Sequence, residues 1–470
     1  LDLETTSVLA ISAKIIGISF SFEPGSGYYI PLGHTEDIVQ LDINHVLKEL
    51  KPILENKKIK KIGQNLKYET IIFKNYGIDL DGIYFDTMIA AHSIDSSLQS
   101  YSLDNLARRF LDYKMISYKD VTKVDKKSIP FADVPIDKAS TYSCEDADIT
   151  LKLYSFFLER LKKYNLLENF LDYEIPFIKV LADIEFVGVN INVKRLAKLS
   201  KEFHKIITDI QARIYKLIEK EINLNSPMQL REVLFNELGL KPNKKTKTGE
   251  FSTDSQTLQG IVDHHDVVEL ILLYRFYSKL QTTYIDALPD LIDEGTKRIH
   301  TSYNHVGTST GRLSSSSPNL QNIPIKTSEG KRIRDSFTSA NKSKLIMSAD
   351  YSQIELRLLA LFSLDPLMVE SFNANDDIHS ITAGEIFNIE KGKVSEDQRR
   401  LAKTINFGIL YGIGSKRLSQ QIKQDSKTAK SFIEKYFKEK LINKDLTLKL
   451  LLLKVTIYFI KKIISLKKEF

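Results

Sequence analysis

Apolar residues along the chain follow two spacings, one typical of strands near the start and one typical of helices further on. β-rich residues run from Ile15 to Phe22 and lead into a Pro-Gly turn, which predicts strands within residues 1–30. Helical patterns then alternate with short apolar segments as far as about residue 150, so we predict a mixed α/β domain. Apolar residues at helical spacing predict a long helix over roughly residues 194–222, and the pattern beyond Asp376 is again mainly helical.

The composition narrows the class of protein without identifying it. At 470 residues the chain has room for about two to four domains, and its 42% of hydrophobic residues exclude wholesale disorder. A single cysteine, Cys144, excludes a disulfide framework and favours a reducing, intracellular compartment. The formal net charge of +7 permits a polyanionic partner without establishing one. No uncharged apolar run approaches the roughly 18 residues of a membrane span, so no membrane is expected, and the start at Leu1 indicates a fragment.

Two acidic residues open the chain on a predicted strand. Asp2 and Glu4 are two positions apart, so their side chains point to the same face of that strand. Neighbouring carboxylates repel each other and are poor core residues, whereas divalent cations held by carboxylates are a standard arrangement for phosphodiester hydrolysis. On spacing alone, a solvated strand edge is the simpler explanation of the pair.

Two later segments supply further acidic groups. Residues 63–69 read Gly-Gln-Asn-Leu-Lys-Tyr-Glu and place Glu69 after a predicted strand-to-helix junction. Tyr142 stands four residues before Asp146 and therefore shares one helical face with it. Together with the opening pair, these segments resemble the three exonuclease motifs of the tyrosine-bearing branch of the DEDD superfamily, found in the proofreading domain of bacterial-type DNA polymerase I.

This resemblance implies a catalytic role for each matching residue. Tyr142 would orient the attacking water, and the expected metal-binding carboxylates are Asp2, Glu4, Glu69 and Asp146. The family carries Asp where this sequence has Glu69, and the extra methylene displaces the carboxylate by about 1 Å or more, which catalytic geometry tolerates poorly. We therefore expect Mg²⁺-dependent trimming of single-stranded 3′ ends that Glu69 attenuates.

A second set of residues lies on a predicted helix near the end of the chain. Arg399, Lys403, Phe407 and Tyr411 recur every four residues, so on a helix they share one broad face. Two cations followed by two aromatic rings suit a ligand that has a phosphate chain at one end and a ring at the other. An amphipathic surface helix whose aromatic residues face a core would show the same spacing.

A carboxylate follows an apolar segment upstream of that helix. Leu345–Ser348 is predicted to be a strand, and Asp350 stands at its end before a helical pattern begins. Such carboxylates are common both as metal ligands and as helix caps. In combination with the helix that carries Lys403, residues 348–357 closely resemble motifs A and B of family A DNA polymerases. Further family segments are matched, in the family's order, by residues 225–230, 310–315, 318–324 and 377–379.

The second resemblance implies roles in nucleotidyl transfer. Asp350 would ligate both catalytic Mg²⁺ ions, and Lys403 would protonate the leaving pyrophosphate. The expected nucleotide-binding residues are Arg399, Lys403 and His379 at the triphosphate, Phe407 at the sugar, Tyr411 at the template-base pocket, Gln353 beside the nucleotide, and Glu355 against a ribose 2′-hydroxyl. The expected DNA-binding residues are Arg312, in the minor groove near the primer end, with Asn319, Gln321 and Asn322.

These motifs divide the chain into two domains and a tail. The expected fold class is an α/β exonuclease domain, a ribonuclease-H-like mixed sheet with helices, followed by a partial α+β right-hand polymerase domain. The expected bounds are 1–165 for the exonuclease domain and 166–440 for the polymerase domain, with the thumb at about 182–300, part of the palm at about 300–365 and part of the fingers at about 366–440. Residues 441–470, rich in Leu, Ile and Lys, fit a membrane-touching or partner-binding amphipathic helix, a core helix with solvated lysines, or an out-of-frame tail.

The second palm carboxylate of the family, in a His-Asp-Glu motif, is missing from the sequence. All nine histidines lie at or before His379, and no two acidic residues are adjacent after Tyr411. Because two-metal chemistry needs more than one carboxylate to fix both ions, we expect this polypeptide not to extend primers.

The expected function is that of a family A DNA polymerase with a proofreading exonuclease, acting in DNA replication and repair. Mg²⁺ is the expected cofactor, with Mn²⁺ as a substitute. The expected partners are primer-template DNA, single-stranded 3′ ends and deoxynucleoside triphosphates, and the chain is expected to be a monomer. A stand-alone 3′–5′ exonuclease of the RNase D or Werner type and a non-catalytic, DNA-binding pseudo-polymerase are the alternatives. Lysine- and isoleucine-heavy usage is similar to that of the apicoplast polymerases of apicomplexan parasites, which suggests an organellar location.

Overall fold

The computed structural model describes residues 1–439 apart from 125–126, 243, 247, 326, 340, 342, 391, 411 and 423. Two predicted features, Tyr411 and the tail at 441–470, lie outside these described residues. We refer to residues 1–163 as the N-terminal part and to residues 167–439 as the C-terminal part.

The N-terminal part combines short strands with helices, as the alternating pattern predicts. Its strands are β1 (Asp2–Thr5), β2 (Ile15–Phe20), β3 (Tyr28–Pro31), β4 (Lys61–Gly63), β5 (Ile83–Asp86), β6 (Lys123–Val124) and β7 (Lys127–Ser128). Its helices are α1 (Ile43–Leu54), α2 (Leu66–Asn75), α3 (Thr87–Ile94), α4 (Leu103–Leu111), α5 (Tyr118–Thr122) and α6 (Ile136–Lys163), with a 3-10 turn at Phe131–Asp133. The strands predicted within residues 1–30 are confirmed.

Antiparallel and parallel pairing occur side by side in this part of the molecule. Strands β1, β2 and β3 pair antiparallel in that order, which sets Glu4 opposite Gly17, whereas β4 and β5 pair in parallel. The long helix α6 packs across β1 to β4. Apolar side chains such as Ile18, Leu66 and Phe73 are fully buried between the strands and helices, and their burial fixes which face of β1 meets α6.

The C-terminal part is mainly helical. Its helices are α7 (Leu167–Asn169), α8 (Ile175–Val187), α9 (Val193–Ile218), α10 (Pro227–Arg231), α11 (Ser255–Gln259), α12 (Asp266–Leu280), α13 (Ala287–Asp290), α14 (Ser328–Arg334), α15 (Ile354–Ser363), α16 (Pro366–Asn373), α17 (Ile378–Phe387), α18 (Glu396–Leu410), α19 (Ser415–Ile422) and α20 (Ser426–Glu439). Its strands are β8 (Asn190–Ile191), β9 (Ser302–Asn304), β10 (Ser314–Ser316) and β11 (Phe337–Thr338). Shorter helical turns are Phe170–Glu174, Glu232–Glu237, Val262–His264 and Gln281–Ile285.

Helix packing in the C-terminal part follows the predicted apolar faces. The helix predicted over roughly residues 194–222 is confirmed as α9, which packs against α12. The mainly helical pattern predicted beyond Asp376 is also confirmed, and α17 packs along α18 around buried Ile378 and Ile405. Strands β9 and β10 form a two-stranded antiparallel hairpin.

The strand predicted at Leu345–Ser348 is wrong. The backbone there belongs to no strand, and the side chains of Leu345 and Met347 are 94% and 87% exposed. An apolar run becomes a strand only where another strand satisfies its backbone groups, and no strand within the described residues pairs with this segment.

Candidate metal and nucleotide sites

Three of the predicted carboxylates meet between β1 and α6. Asp2 and Glu4 lie on the same face of β1, and α6 brings Asp146 against them across a separation of more than a hundred residues. One oxygen from each of the three carboxylates lies within 4.8 Å of the others. Glu4 is only 8% exposed, and Asp2 and Asp146 are half-buried. We call these three residues the carboxylate triad.

Burial and mutual repulsion raise the pKa values of the triad carboxylates. Burial raises the pKa of Asp2 to about 6. Burial and the neighbouring Asp2 raise the pKa of Glu4 to about 8, and burial with the charges of Asp2 and Glu4 raises the pKa of Asp146 well above its ordinary value. Carboxylate oxygens are the donors that Mg²⁺ and Mn²⁺ prefer, so the residues present fit a divalent cation.

Glu69 lies beside the triad rather than within it. It belongs to the first turn of α2, is 4% exposed, and is not one of the carboxylates that meet within 4.8 Å. Its Oε2 atom has no hydrogen-bond partner among the described residues. Burial, followed by the charge of Asp2, raises its pKa well above the ordinary value. The structure therefore brings Glu69 within the electrostatic reach of Asp2 and leaves one of its oxygens unsatisfied.

Two neighbours on α6 complete the surroundings of the triad. Tyr142 lies one turn before Asp146 and packs its ring against Phe131 at a centroid distance of 6.0 Å. Burial, and then the charge of Asp146, raises the pKa of Tyr142, so the phenol keeps its proton. Ser143 donates a hydrogen bond of 2.7 Å to Oε1 of Glu4. Ser143 was not predicted from the sequence, although it stands next to Tyr142 in the motif.

The predicted polymerase residues around α15 are exposed or half-buried. Asp350 is exposed on the unpaired segment that precedes α15, and Gln353 begins that helix in a left-handed backbone conformation. Glu355 forms an ion pair of 3.1 Å with Arg312. Asn319, Gln321 and Asn322 are exposed in the loop that follows β10.

The predicted triphosphate residues meet where α17 packs on α18. Arg399 forms a bidentate ion pair with Asp377, with its Nε donating to Oδ2 at 2.5 Å and its Nη2 to Oδ1 at 3.3 Å. Burial alone would raise the pKa of Asp377, but the hydrogen bonds from Arg399 and Ser380 lower it to about 2. Lys403 is exposed on the same helix.

His379 faces α18 rather than the solvent. It is 2% exposed, its Nδ1 lies 3.0 Å from Nδ2 of Asn406, and its ring lies 5.7 Å from that of Phe407. Burial lowers the pKa of His379 to about 4, although the charge of Asp377 opposes the shift. His379 is therefore neutral at physiological pH in this arrangement, and Asn406 is a neighbour that the sequence did not reveal.

None of the helices in the described part of the chain combines the length and the apolar character that a membrane crossing requires.

Comparison with known proteins covers nearly the whole chain. The family model described as DNA polymerase family A matches residues 193–442, and the one described as 3′-5′ exonuclease matches residues 1–162. DNA polymerase I of Pseudomonas aeruginosa is 40% identical over 442 residues, which cover 93% of this chain and 48% of that protein. DNA polymerase I of Borreliella burgdorferi is 40% identical over 438 residues, which cover 93% of this chain and 47% of that protein. The chain spans about half the length of these curated relatives.

A solved structure has the same overall fold. It is described as the POL domain of Pol1 from M. smegmatis in complex with DNA primer-template and dNTP, and it superposes with a TM-score of 0.79 at 31% identity, covering 93% of this chain and 72% of that chain. The predicted fold class, an exonuclease domain followed by a polymerase domain, is confirmed. This chain belongs to DNA polymerase family A, with a 3′-5′ exonuclease domain in its N-terminal part.

Proposed function

We propose that the N-terminal part is a divalent-metal-dependent 3′–5′ exonuclease that trims single-stranded DNA ends. The observation that carries this proposal is the carboxylate triad, in which Asp2, Glu4 and Asp146 place oxygens within 4.8 Å of one another. Three buried or half-buried carboxylates repel one another unless a cation joins them, and Mg²⁺ is the cation we propose, with Mn²⁺ as a substitute. When bound, the metal would supply charge neutralisation at the phosphate and a more acidic water.

The surrounding residues have roles that follow from their chemistry. Because the pKa of Tyr142 is raised, its hydroxyl remains a hydrogen-bond donor and acceptor that can orient a water rather than a base that removes its proton. The hydrogen bond from Ser143 fixes the rotamer of Glu4 and so holds one member of the triad in place. Glu69, one methylene longer than the family's Asp, is not one of the three carboxylates that meet within 4.8 Å, and this misplacement would attenuate trimming.

We propose that the C-terminal part binds primer-template DNA and deoxynucleoside triphosphates but does not extend primers in this polypeptide. Lys403 and Arg399 supply cationic groups for a triphosphate, and Asp350 is a metal-ligand candidate. The sequence after Tyr411 holds no histidine and no adjacent acidic pair, so the second carboxylate is missing from this polypeptide. A stand-alone exonuclease does not explain the family match over residues 193–442, whereas a DNA-binding pseudo-polymerase does. The proposed active form is a monomer.

The organellar location stays a prediction. It depends on the lysine- and isoleucine-rich usage of the sequence, whereas the two curated relatives named above are bacterial DNA polymerases I.

The experiment that tests the exonuclease uses the purified 470-residue chain and a 5′-labelled single-stranded oligonucleotide. Trimming is expected with Mg²⁺ or Mn²⁺, none with EDTA, and none in Asp146→Asn. Asp148→Asn is the matched control, because Asp148 lies on the same helix outside the triad and its Oδ1 accepts from Gly25, a role an amide oxygen can keep. Trimming by Asp146→Asn, or in EDTA, contradicts the proposal. A primer-template substrate in the same assay tests the second proposal, which templated extension would overturn.

A further inference from the structure

A buried ion pair forms hydrogen bonds to the backbone of the hairpin formed by β9 and β10. Lys67, on α2, places its Nζ 2.6 Å from Oε1 of Glu185 on α8 and 2.6 Å from the backbone oxygen of Tyr303 on β9. The same Oε1 atom of Glu185 accepts from the backbone nitrogen of Tyr303 at 2.6 Å. The Lys67–Glu185 ion pair therefore satisfies both the backbone N–H and the backbone C=O of Tyr303.

This ion pair takes the place of a third strand. β9 pairs only with β10 among the described strands, so its other edge would present an unsatisfied N–H and C=O at Tyr303. The side chains of Lys67 and Glu185 are 13% and 8% exposed, so water replaces their contacts poorly. A buried pair of this kind is costly to break from one side, because the remaining charge is left without a partner.

Two further contacts hold the same hairpin. Nε2 of His305 lies 2.6 Å from Oε2 of Glu174, and Nε2 of His92, on α3, lies 2.9 Å from the backbone oxygen of Thr308. Thr308 in turn donates from Oγ1 to the backbone oxygen of Arg312 at 2.7 Å. The contacts thus run from the N-terminal part and α8 along the hairpin to the residue expected at the primer end.

We infer that the Lys67–Glu185 pair positions the β9–β10 hairpin for primer binding, so that the exonuclease domain sets the geometry of a DNA-contacting element of the polymerase domain. The inference rests on the proposed binding of primer-template DNA through Arg312. Lys67 is a positioning residue in this account, since it contacts the hairpin backbone and not the DNA.

The chain offers a matched control for this pair. Lys74 also lies on α2 and forms ion pairs of 2.6 Å with Asp183 on α8 and 3.7 Å with Asp79, neither of which belongs to the hairpin. Lys67→Met and Lys74→Met each remove one α2–α8 ion pair and keep the aliphatic stem. Only Lys67→Met releases the edge of β9. Lys67→Arg retains donors for Glu185 and for the Tyr303 carbonyl.

The experiment compares these variants in the full chain by hydrogen exchange and by primer-template binding. Lys67→Met is expected to speed amide exchange in peptides covering residues 302–316 and to raise the Kd for a primer-template duplex about tenfold. Lys74→Met is expected to leave both unchanged, and Lys67→Arg to restore most of the protection. Equal effects of Lys67→Met and Lys74→Met on hairpin exchange overturn the inference.

A second variant keeps the test decisive if Lys67→Met fails to fold. Glu185→Gln keeps a carbonyl that accepts from Tyr303 but removes the charge that pairs with Lys67, so a smaller increase in hairpin exchange is expected. No such increase overturns the inference. If the unaltered chain does not bind primer-template DNA at all, the proposed function fails, whereas the exchange measurements still decide whether the ion pair holds the hairpin.

Discussion

Removing the charge of Glu4 should stabilise the metal-free protein while abolishing the proposed exonuclease activity. Glu4 is nearly fully buried, and burial together with the charge of Asp2 raises its pKa from 4.5 to about 8. The folded state therefore binds this proton more tightly than the unfolded state does. That stabilisation is present below the unfolded pKa and is lost as the pH rises toward and through the folded pKa, so metal-free stability should decline between about pH 5 and pH 8.5.

The size of the effect follows from the pKa shift. At about pH 8.5 the ionised Glu4 carboxylate costs roughly 4–5 kcal/mol relative to the unfolded chain, at 1.36 kcal/mol per unit of pKa. Glu4→Gln removes that cost and keeps an oxygen that accepts from Ser143, but its buried amide N–H groups need partners and cost about 1–2 kcal/mol. We expect a net gain of about 3 kcal/mol near pH 8.5 and a small net loss, about 1 kcal/mol or less, near pH 5, where Glu4 is mostly protonated and the amide cost outweighs the gain.

Urea denaturation in EDTA at the two pH values measures this difference directly. Mg²⁺ should stabilise the unaltered chain, because a ligand of the folded state alone favours folding, and should have little effect on Glu4→Gln. Glu23→Gln serves as the control, since Glu23 is exposed on the turn after β2. The reasoning is refuted if Glu4→Gln gains the same stability at both pH values, or if it gains none near pH 8.5.

Three further predictions concern single carboxylates. Glu69→Asp should increase the rate of single-strand trimming several-fold and Glu69→Gln should not, measured on the labelled oligonucleotide, because only the shorter carboxylate restores the family's geometry. Asp377→Asn should lower the Kd for a deoxynucleoside triphosphate about threefold in a fluorescence titration, since it frees Arg399 and keeps an oxygen that accepts from the backbone nitrogen of His379. A higher Kd would show instead that Asp377 positions Arg399 for the nucleotide. Asp86→Asn should destabilise folding by about 1–3 kcal/mol in urea, because Asp86 is fully buried and its two oxygens accept from Leu66 and Ile89; an unchanged midpoint would contradict this.

Local sequence pattern was sufficient for the two elements that carry the carboxylate triad. Period-two spacing placed Asp2 and Glu4 on one strand face, and helical spacing placed Asp146 on the same helix face as Tyr142. Only the family resemblance indicated that this strand and this helix bring the three triad carboxylates together. The same kind of pattern failed at Leu345–Ser348, because an apolar run specifies a preference for burial but does not supply the strand that must lie beside it.

Residues that act through tertiary neighbours escaped prediction. Ser143, Lys67 and Asp86 are of common types, and nothing in their spacing marks them. Lys67 even lies within the exonuclease motif at residues 63–69, yet its partners Glu185 and Tyr303 are more than a hundred residues away. The packing of α2 against α8, and of α8 against β9, gives this lysine its role, and that packing is not encoded in any local periodicity.

The two candidate metal sites, the triad and Asp350, differ in how firmly the fold holds their carboxylates before any metal binds. The triad is held by a paired strand and a long helix, with Glu4 fixed by Ser143, so a cation would bind groups that are already in place. Asp350 lies on exposed, unpaired backbone, and fixing such backbone costs about 1–2 kcal/mol per residue in conformational entropy. The binding of nucleotide and metal would have to offset that cost, at a site where Asp350 is the one palm carboxylate of the family that this polypeptide contains. Preorganisation therefore supports the proposal that this polypeptide trims 3′ ends and does not extend primers, because catalysis of phosphoryl transfer depends on groups positioned before the substrate arrives.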